Sequence, residues 1–300
     1  MNRQNVLVGT LLVFLAAAAY ACLPIFIRSI YKVESIQAAD IAVWRFVFAV
    51  ALVWPVLFMS GQGESVRQLS RPQTGVLLGL GGLFSVSGVT SALALERVPA
   101  STYTLLLYTY PAMVAVLSFA LGEILPINKW LAVGLALLGC ALTVSGPIKI
   151  KNPLDIAFPF INAFAYAVYL IIAGRYNRVS GMASGVVSMS GTLIALVILI
   201  PFWGIHTPQT TEGWLYIAGL GIISTVLPIT LMFKGISMIG ASNAAILSTL
   251  EPIITVFLAA LILSEDISPL QLAGGGLIIA SVVLLHLPMR RRLHRAAVNV

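Results

Sequence analysis

The chain contains one block of sequence twice, first as Ala100-Ser101-Thr102, Tyr110-Pro111 and Gly122-Glu123, and again as Ala241-Ser242-Asn243, Glu251-Pro252 and Ser264-Glu265. Gly134-Leu135 follows the first copy and Gly276-Leu277 the second. The offset between the two prolines is nearly the same as the offset between the two final glutamates. Few of the aligned residues are identical, but their order, spacing and hydropathy agree throughout. The chain is therefore predicted to consist of two related units.

The composition of the chain is that of a membrane protein. Hydrophobic residues make up 59% of the 300 residues and charged residues only 9%, whereas soluble domains carry about 25% charged residues. So little polar surface cannot coat a soluble globule, and a helix that spans a bilayer needs about 20 apolar residues. Continuous apolar runs such as Leu193–Ile200 and Leu277–Leu285 favour helices over the alternating strands of a transmembrane barrel.

Ten segments are predicted to span the membrane as helices 1 to 10. They cover roughly residues 6–29, 37–60, 73–95, 100–121, 128–146, 153–174, 180–203, 212–234, 240–263 and 268–288. Residues 1–148 and 149–300 each hold five of these helices. Because five is odd, the second unit begins on the opposite side of the membrane. The predicted fold is an all-α polytopic membrane protein of two inverted five-helix repeats.

The basic residues predict the orientation. The net charge is +7, but its placement is typical of cytoplasmic membrane flanks, so no nucleic-acid partner is expected. The side that holds both predicted termini carries eleven of the lysines and arginines, and the other side carries five. Four of the eleven, Arg290, Arg291, Arg292 and Arg295, directly follow helix 10. Both termini are therefore predicted to be cytoplasmic, with the protein in the inner (plasma) membrane.

Glu251, in the middle of helix 9, is the first candidate for a pathway through the membrane. A charge near the bilayer centre costs about 3 kcal/mol on insertion scales. Pro252 follows it, and a proline there kinks the helix and frees a backbone carbonyl near Ser248. Asn243 is predicted to share the helical face of Glu251. Two interpretations are open: a substrate or proton site, or a carboxyl group that holds helix packing.

Tyrosines and one asparagine in two helices form a second group of candidates. They are Asn162, Tyr166 and Tyr169 in helix 6 and Tyr103, Tyr108 and Tyr110 in helix 4. The side chains of the first set recur at i, i+4 and i+7, and their rings and polar ends suit a partly wet cavity. In helix 4, Tyr103 and Tyr110 are predicted to share a face while Tyr108 points elsewhere. Anchoring at the membrane interface or ordinary packing is the alternative.

Arg45, about nine residues into helix 2, has two interpretations. It either snorkels to the external membrane interface, or it pairs with a carboxylate or attracts an anionic substrate group. Cys22 and Cys140 are predicted to be small apolar residues that pack between helices. The chain has no Gly-Lys-Ser/Thr phosphate loop and no His-Glu-x-x-His motif, so no enzyme activity, metal site or cofactor is predicted.

Glycines at small-residue spacing predict close helix contacts. They are Gly75, Gly79 and Gly82 in helix 3, Gly181 and Gly185 in helix 7, and Gly274-Gly275-Gly276 in helix 10.

The segment that spans helices 9 and 10 resembles the signature of EamA-type exporters of the drug/metabolite transporter superfamily. The resemblance is carried by Leu250-Glu251-Pro252, Ser264-Glu265, Pro269-Leu270-Gln271 and the glycines at 274–276, and also by Trp44-Arg45-Phe46, Tyr110-Pro111 and Ala165–Tyr169. It implies a central cavity lined by helices 1, 3, 4, 6, 8 and 9, with Pro111 and Pro252 at kink or gating positions. Tyr20 stands in helix 1 where many members have tryptophan, which adds it to the expected pathway.

By this resemblance, the chain is expected to be a secondary transporter that exports small metabolites by alternating access, with aromatic or other apolar amino acids as the leading substrates. Exchange of phosphorylated metabolites or nucleotide sugars is one alternative and requires several cations at the cavity. A non-transporting membrane scaffold is the other. The expected partners are the lipid bilayer and a small-molecule substrate, with protons as a candidate coupling ion. A monomer or weak dimer is expected.

Overall fold

The structure is a computed structural model that describes residues 3–145, 152–176 and 181–286, and within these ranges every regular element is helical. A short helix, Gly63–Arg67, precedes the third span. The elements of the first repeat are α1a (Arg3–Ala21), α1b (Leu23–Val33), α2 (Ala38–Met59), α3 (Arg71–Arg97), α4a (Ala100–Leu107), α4b (Tyr110–Ala120) and α5 (Ile127–Ser145).

The second repeat follows the same order. Its elements are α6 (Ala157–Tyr176), α7 (Gly181–Trp203), α8a (Thr211–Gly221), α8b (Leu227–Ile239), α9a (Ala241–Ser248), α9b (Leu250–Leu263) and α10 (Pro269–His286). A 3-10 turn, Pro153–Ile156, precedes α6, and a π-helix, Ile222–Val226, joins α8a to α8b. The predicted boundary after residue 148 and the four C-terminal arginines lie outside the described residues.

The helices have the length and polarity of membrane spans. In the described ranges, eight helices are long and apolar enough to cross a bilayer, while Leu250–Leu263 and Pro269–Leu285 are shorter apolar helices. The first of these two is short because α9 is interrupted. Large apolar side chains are exposed on the outside of the bundle, among them Leu137, Leu215 and Phe257. These observations confirm the all-α polytopic membrane fold.

Helices 1, 4 and 9 are interrupted next to prolines. α4 breaks at Tyr108-Thr109, just before Pro111, and α9 breaks at Thr249, just before Pro252. α1 breaks at Cys22, with Pro24 in the first turn of α1b. A proline lacks the N–H that would bond the carbonyl of the preceding turn, so each break leaves a backbone acceptor that needs another donor.

The packing of the helices repeats between the two halves. α1a packs along α8b, and α3 packs along α6, which is the equivalent pair when the two repeats are exchanged. α5 and α10 occupy equivalent places and make the most extensive helix contact in the described bundle. The helix ends form two faces. The Glu265 face consists of residues 34–37, 98–99, 204–210 and 264–268, and the Glu123 face of residues 60–70, 121–126 and 240.

Small residues bring two pairs of helices into backbone contact. A Cβ atom on Gly139 of α5 would lie 2.6 Å from the Gly274 carbonyl oxygen of α10, and one on Gly274 would lie 2.4 Å from the Gly139 carbonyl oxygen. The contacts predicted for Gly75 and Gly79 are wrong, because a Cβ on either meets open space. Gly81 makes the contact between α3 and α7 instead, since the helix turns that residue toward its neighbour.

Gly274→Ala should lower the stability of the protein, whereas Gly276→Ala in the same helix should not. The first methyl group would overlap the backbone of α5, and overpacking costs about 1–3 kcal/mol. The second meets nothing within 4 Å, and alanine favours a helix by about 1 kcal/mol over glycine. Thermal unfolding in detergent measures both, with a drop of several degrees expected only for Gly274→Ala. Equal midpoints for the two variants would contradict this account.

Candidate functional site

A row of aromatic side chains crosses the middle of the bundle between the two repeats. The ring centroids of Tyr108 and Tyr110 lie 5.8 Å apart, and those of Tyr110 and Tyr166 lie 4.8 Å apart. Tyr166 stacks with Tyr169 at 6.1 Å, and Phe84 lies 5.0 Å from Tyr169. Stacked, tilted and edge-to-face rings at such distances attract one another beyond simple burial. These five residues, from α3, α4 and α6, are called the tyrosine cluster.

Glu251, in the first turn of α9b, lies beside the tyrosine cluster. The Tyr108 hydroxyl donates to the Ser248 carbonyl oxygen at 3.2 Å and also lies within hydrogen-bonding reach of the Glu251 carboxyl group. That carbonyl lost its helical N–H to the proline after Glu251. Tyr20 and Tyr110 are close enough to Glu251 to interact electrostatically. The break in α9 thus gathers a carboxyl group, a carbonyl without a helical donor and three tyrosines at one place.

Arg45 of α2 lies inside the protein, with only 7% of its surface exposed. Its Nε donates to the Thr225 hydroxyl at 3.0 Å, and its guanidinium carbon lies 5.1 Å from the centroid of the Phe46 ring. No described carboxylate lies within 4.0 Å of the guanidinium nitrogens. Arg45 therefore does not snorkel to an interface, and it is buried without an acidic partner.

Tyr20 of α1a links the two charged groups. It is half-buried and interacts electrostatically with both Glu251 and Arg45. Glu251 and Arg45 do not form an ion pair with each other. A cation and a carboxyl group therefore lie inside the bundle without pairing, and one tyrosine interacts with both.

Asn162 of α6 belongs to a separate polar network. Its Nδ2 donates to the Tyr103 hydroxyl at 2.9 Å, and its Oδ1 accepts a hydrogen bond from the Ser87 hydroxyl. Asn162 and Tyr103 are each only 2% exposed. Because these buried polar groups already satisfy one another, the network holds α3, α4a and α6 together in this conformation rather than presenting free groups to a ligand.

The break in α4 changes which tyrosines meet. A continuous helix would place Tyr103 and Tyr110 on one face, but the chain turns at Tyr108 and Thr109. The structure therefore brings Tyr108 and Tyr110 together and directs Tyr103 to Asn162.

The break in α9 likewise separates Asn243 from Glu251. Asn243 is exposed, and its amide donates to the Ile239 carbonyl at 2.8 Å near the Glu123 face. The Ser248 hydroxyl donates to the Ala244 carbonyl at 2.9 Å, so its main-chain carbonyl rather than its side chain faces the tyrosine cluster.

Two residues of the site lie outside the sequence prediction. Phe84 completes the tyrosine cluster, but a phenylalanine inside an apolar span carries no polar signal. Thr225 receives the Arg45 hydrogen bond and lies in the π-helix, where its hydroxyl donates to the Leu220 carbonyl at 2.9 Å. Single-turn π-helices occur frequently at functional sites. Pro228, just after the π-helix, is the sequence signal that marks this irregular turn.

A cavity of about 280 Å³ reaches the tyrosine cluster from the Glu123 face. Its lining extends from Tyr110 and Pro111 past Ser118 to Lys129 and Leu285. Pro111 thus borders this cavity at the break in α4.

Polar contacts fasten helix ends at the opposite face, which also carries an open cleft of about 740 Å³ between α1b, α2 and α3. Arg97 at the end of α3 forms an ion pair with Asp155 at 3.1 Å. His206 lies 3.0 Å from the Asp40 carboxylate at the start of α2, and its backbone N–H donates to the same carboxylate at 3.1 Å. These contacts join the ends of separate helices at the Glu265 face.

Glu34 adds a further contact at the Glu265 face. Its carboxylate accepts hydrogen bonds from the Thr210 hydroxyl and from the backbone N–H groups of Gln209 and Thr210. These bonds, the hydroxyl bond first, lower the pKa of Glu34 below its usual range. Because the deprotonated form is favoured, the contact is present at neutral pH and is lost as the pH falls through that lowered pKa.

Within the described residues, no group of three or more His, Cys, Asp and Glu side chains has an arrangement that could hold a metal ion. Cys22 and Cys140 are both free thiols.

The fold and the position of these residues define a class of protein. Two repeats of membrane helices, with interrupted helices and polar groups gathered at their interface, are typical of secondary transporters. The chain belongs to the EamA-like transporter family, whose model matches residues 7–145 and again residues 155–287. The family therefore matches once in each half of the chain.

Similar proteins are also transporters by name. An uncharacterized transporter of Synechocystis is 26% identical, with 93% of each chain covered. An uncharacterized inner membrane transporter of Salmonella typhimurium is 28% identical, covering 96% of this chain and 98% of that protein. The S-adenosylmethionine uptake transporter of Rickettsia felis is 24% identical, with 86% of each covered. These names indicate transport rather than catalysis.

A solved crystal structure supports the same fold. It superposes with a TM-score of 0.64 over 92% of this chain and 95% of the other, at 18% identity.

Tyr108→Phe should destabilise the protein by about 1–3 kcal/mol, because the Ser248 carbonyl loses its donor in a buried site. In a Pro252→Ala background the same change should cost less, since the alanine N–H can donate to that carbonyl. A double-mutant cycle of unfolding free energies measures the difference.

Tyr216→Phe is the control for this cycle, because the Tyr216 hydroxyl bonds Glu212 at an exposed site. It should have little effect in either background. If Tyr108→Phe lowers the free energy of unfolding equally with and without Pro252, the Tyr108 hydroxyl does not compensate the Ser248 carbonyl for its lost helical donor.

Proposed function

We propose that this protein is a secondary transporter that exports small zwitterionic metabolites, with aromatic and other apolar amino acids as leading substrates, across the inner membrane by alternating access. One observation carries the proposal. Arg45 and Glu251 are held inside the bundle without partners of opposite charge among the described residues, and Tyr20 interacts electrostatically with both.

The two charges match the two ends of an amino acid. A buried guanidinium favours a carboxylate, to which it donates two parallel hydrogen bonds. A carboxylate accepts hydrogen bonds from an ammonium group. An isolated charge inside a bilayer is costly, and a zwitterion lowers the cost of both residues when it binds. The pair therefore favours substrates that carry both charges.

The tyrosine cluster favours a substrate with an apolar or aromatic body. Its rings offer apolar surface with hydroxyl groups at their edges. The relatives named for S-adenosylmethionine uptake support the same class, because that compound carries an amino-acid group together with an aromatic base. These relatives support the chemical class of the substrate, and the direction of transport is argued separately.

The direction proposed is outward. The excess of basic residues near the termini supports a cytoplasmic location for both, and the Glu123 face is then the cytoplasmic face. The cavity that reaches Tyr110 from that face gives a substrate access from the cytoplasm. Exchange of phosphorylated compounds is less favoured, since Arg45 is the one buried lysine or arginine among the residues that the structure describes.

Arg45→Gln should weaken transport of amino acids about 10- to 100-fold in apparent affinity, which corresponds to a charge-assisted hydrogen bond of about 1.5–3 kcal/mol. Counterflow into proteoliposomes, with labelled phenylalanine as the first probe and a panel of amino acids as competitors, measures it. Arg45→Lys should recover part of the affinity, and Lys32→Gln at the exposed Glu265 face should leave it unchanged. No uptake of any amino acid by the wild-type protein would refute the proposed substrate class.

Glu251→Gln tests whether the carboxyl group also carries a proton. If Glu251 couples proton movement to transport, the wild-type rate should vary with an imposed pH gradient and the variant should lose that dependence. Glu251→Asp keeps a titratable group and should retain it. A pH response that is the same in wild type and Glu251→Gln would remove Glu251 from coupling and leave it as a substrate contact.

A further inference from the structure

Glu265 caps a helix of the other repeat. Its carboxylate accepts the backbone N–H of Ala100 at 2.6 Å, the backbone N–H of Ser101 at 3.0 Å and the Ser101 hydroxyl at 2.7 Å. A carboxylate at a helix N-terminus satisfies N–H groups that have no helical partner and interacts favourably with the helix dipole. The loop after α9b is thereby fastened to the start of α4a.

The repeated sequence block places the same parts at the other end of the molecule. Glu123 corresponds to Glu265, and Ala241-Ser242 corresponds to Ala100-Ser101. The residue before each glutamate has a left-handed backbone, with φ of 93° at Gly122 and 56° at Ser264. At both ends a residue with positive φ therefore separates the helix from the glutamate.

The two ends differ in their packing. At the Glu265 face, α4a packs against α9b. The equivalent pair at the Glu123 face, α9a and α4b, makes no comparable contact in the described chain. Glu123 is exposed, whereas Glu265 is half-buried against α4a. At the Glu265 face α4a and α9b are thus fastened together, whereas Glu123 is exposed at the other face.

We propose that Glu265 and Glu123 are paired latches, each of which closes one face by capping the start of helix 4 or helix 9 in the opposite repeat. In the conformation described here, Glu265 on Ala100-Ser101 holds α9b against α4a at the Glu265 face. Glu123 caps Ala241-Ser242 when the repeats rock to the other state. The inference rests on the proposed alternating access and adds the residues that stabilise each end state.

Paired latches explain why each copy of the repeated block begins with a small residue and a serine and ends with a glutamate. A small residue followed by serine at the helix start lets a carboxylate approach the backbone and adds a hydroxyl donor, as Ser101 does. In each copy the glutamate follows the far end of the membrane span that this serine begins. Each glutamate is therefore on the correct face for the helix start of the other repeat and on the wrong face for its own.

Spin-label distances on the full-length protein in liposomes test the latches. Native cysteines are removed as Cys22→Ala and Cys140→Ala. One label pair, Glu96→Cys with Asp266→Cys, reports the Glu265 face, and a second, Ile124→Cys with Ser237→Cys, reports the Glu123 face. All four positions are exposed.

Glu265→Gln should open the Glu265 face and close the Glu123 face, changing the ratio of the two populations about tenfold, as expected for weakened charge-assisted hydrogen bonds. Glu123→Gln is then combined with Glu265→Gln, because the single variant populates the state in which Glu123 closes its face. The double variant should return the population ratio toward that of the wild type. Ser101→Ala, which removes a single donor, should give a smaller shift in the direction of Glu265→Gln.

Glu64→Gln and Glu212→Gln are exposed controls at the two faces and should leave the distances unchanged. An unchanged ratio in a folded Glu265→Gln protein, or a double variant identical to Glu265→Gln, would overturn the latch proposal. The distance measurements need no substrate. If Glu265→Gln opens one face and closes the other but the protein transports no amino acid, only the proposed substrate class is refuted. If the protein transports amino acids but the two faces do not change in opposite directions, only the latches are refuted.

Discussion

The interior of a bilayer offers no hydrogen-bond partner to an interrupted helix, and the helix breaks in this protein are organised by that constraint. The freed Ser248 carbonyl in α9 takes its donor from Tyr108, at the break of α4 in the other repeat. The two breaks therefore meet at the centre, and Glu251 lies at the same point. A backbone requirement and the candidate site thus depend on the same few residues.

The two repeats have closely related structures but unequal ends. Ion pairs and hydrogen bonds fasten the Glu265 face, through Arg97 with Asp155 and through Glu34 with the 209–210 backbone. At the other face a cavity leads to Tyr110. Two similar units in unequal arrangements are what a rocking mechanism requires, since exchanging their conformations exchanges the open and closed faces. This asymmetry supports the proposed alternating access.

Much of the fold follows from the sequence, whereas the site follows from it only in part. Apolar segment lengths predict the helices, and Pro111 and Pro252 mark two of the breaks. Arg45 has two interpretations in sequence, and only its burial against Thr225 separates them. Helical periodicity pairs Tyr103 with Tyr110, but the turn at Tyr108 directs Tyr103 to Asn162 instead. Helical periodicity holds only while a helix is continuous, so it cannot predict which residues share a face across a break.

By itself the sequence determined the membrane class, the two related units and the residue types that are costly in lipid, because hydropathy and spacing are local properties of a chain. Tertiary structure decided which of these residues meet. Gly274 rather than Gly276 touches α5, and Glu265 caps a helix that begins at Ala100 in the other repeat. Such contacts depend on the rotation and separation of helices distant in sequence, which packing and hydrogen bonding set only when the whole bundle assembles.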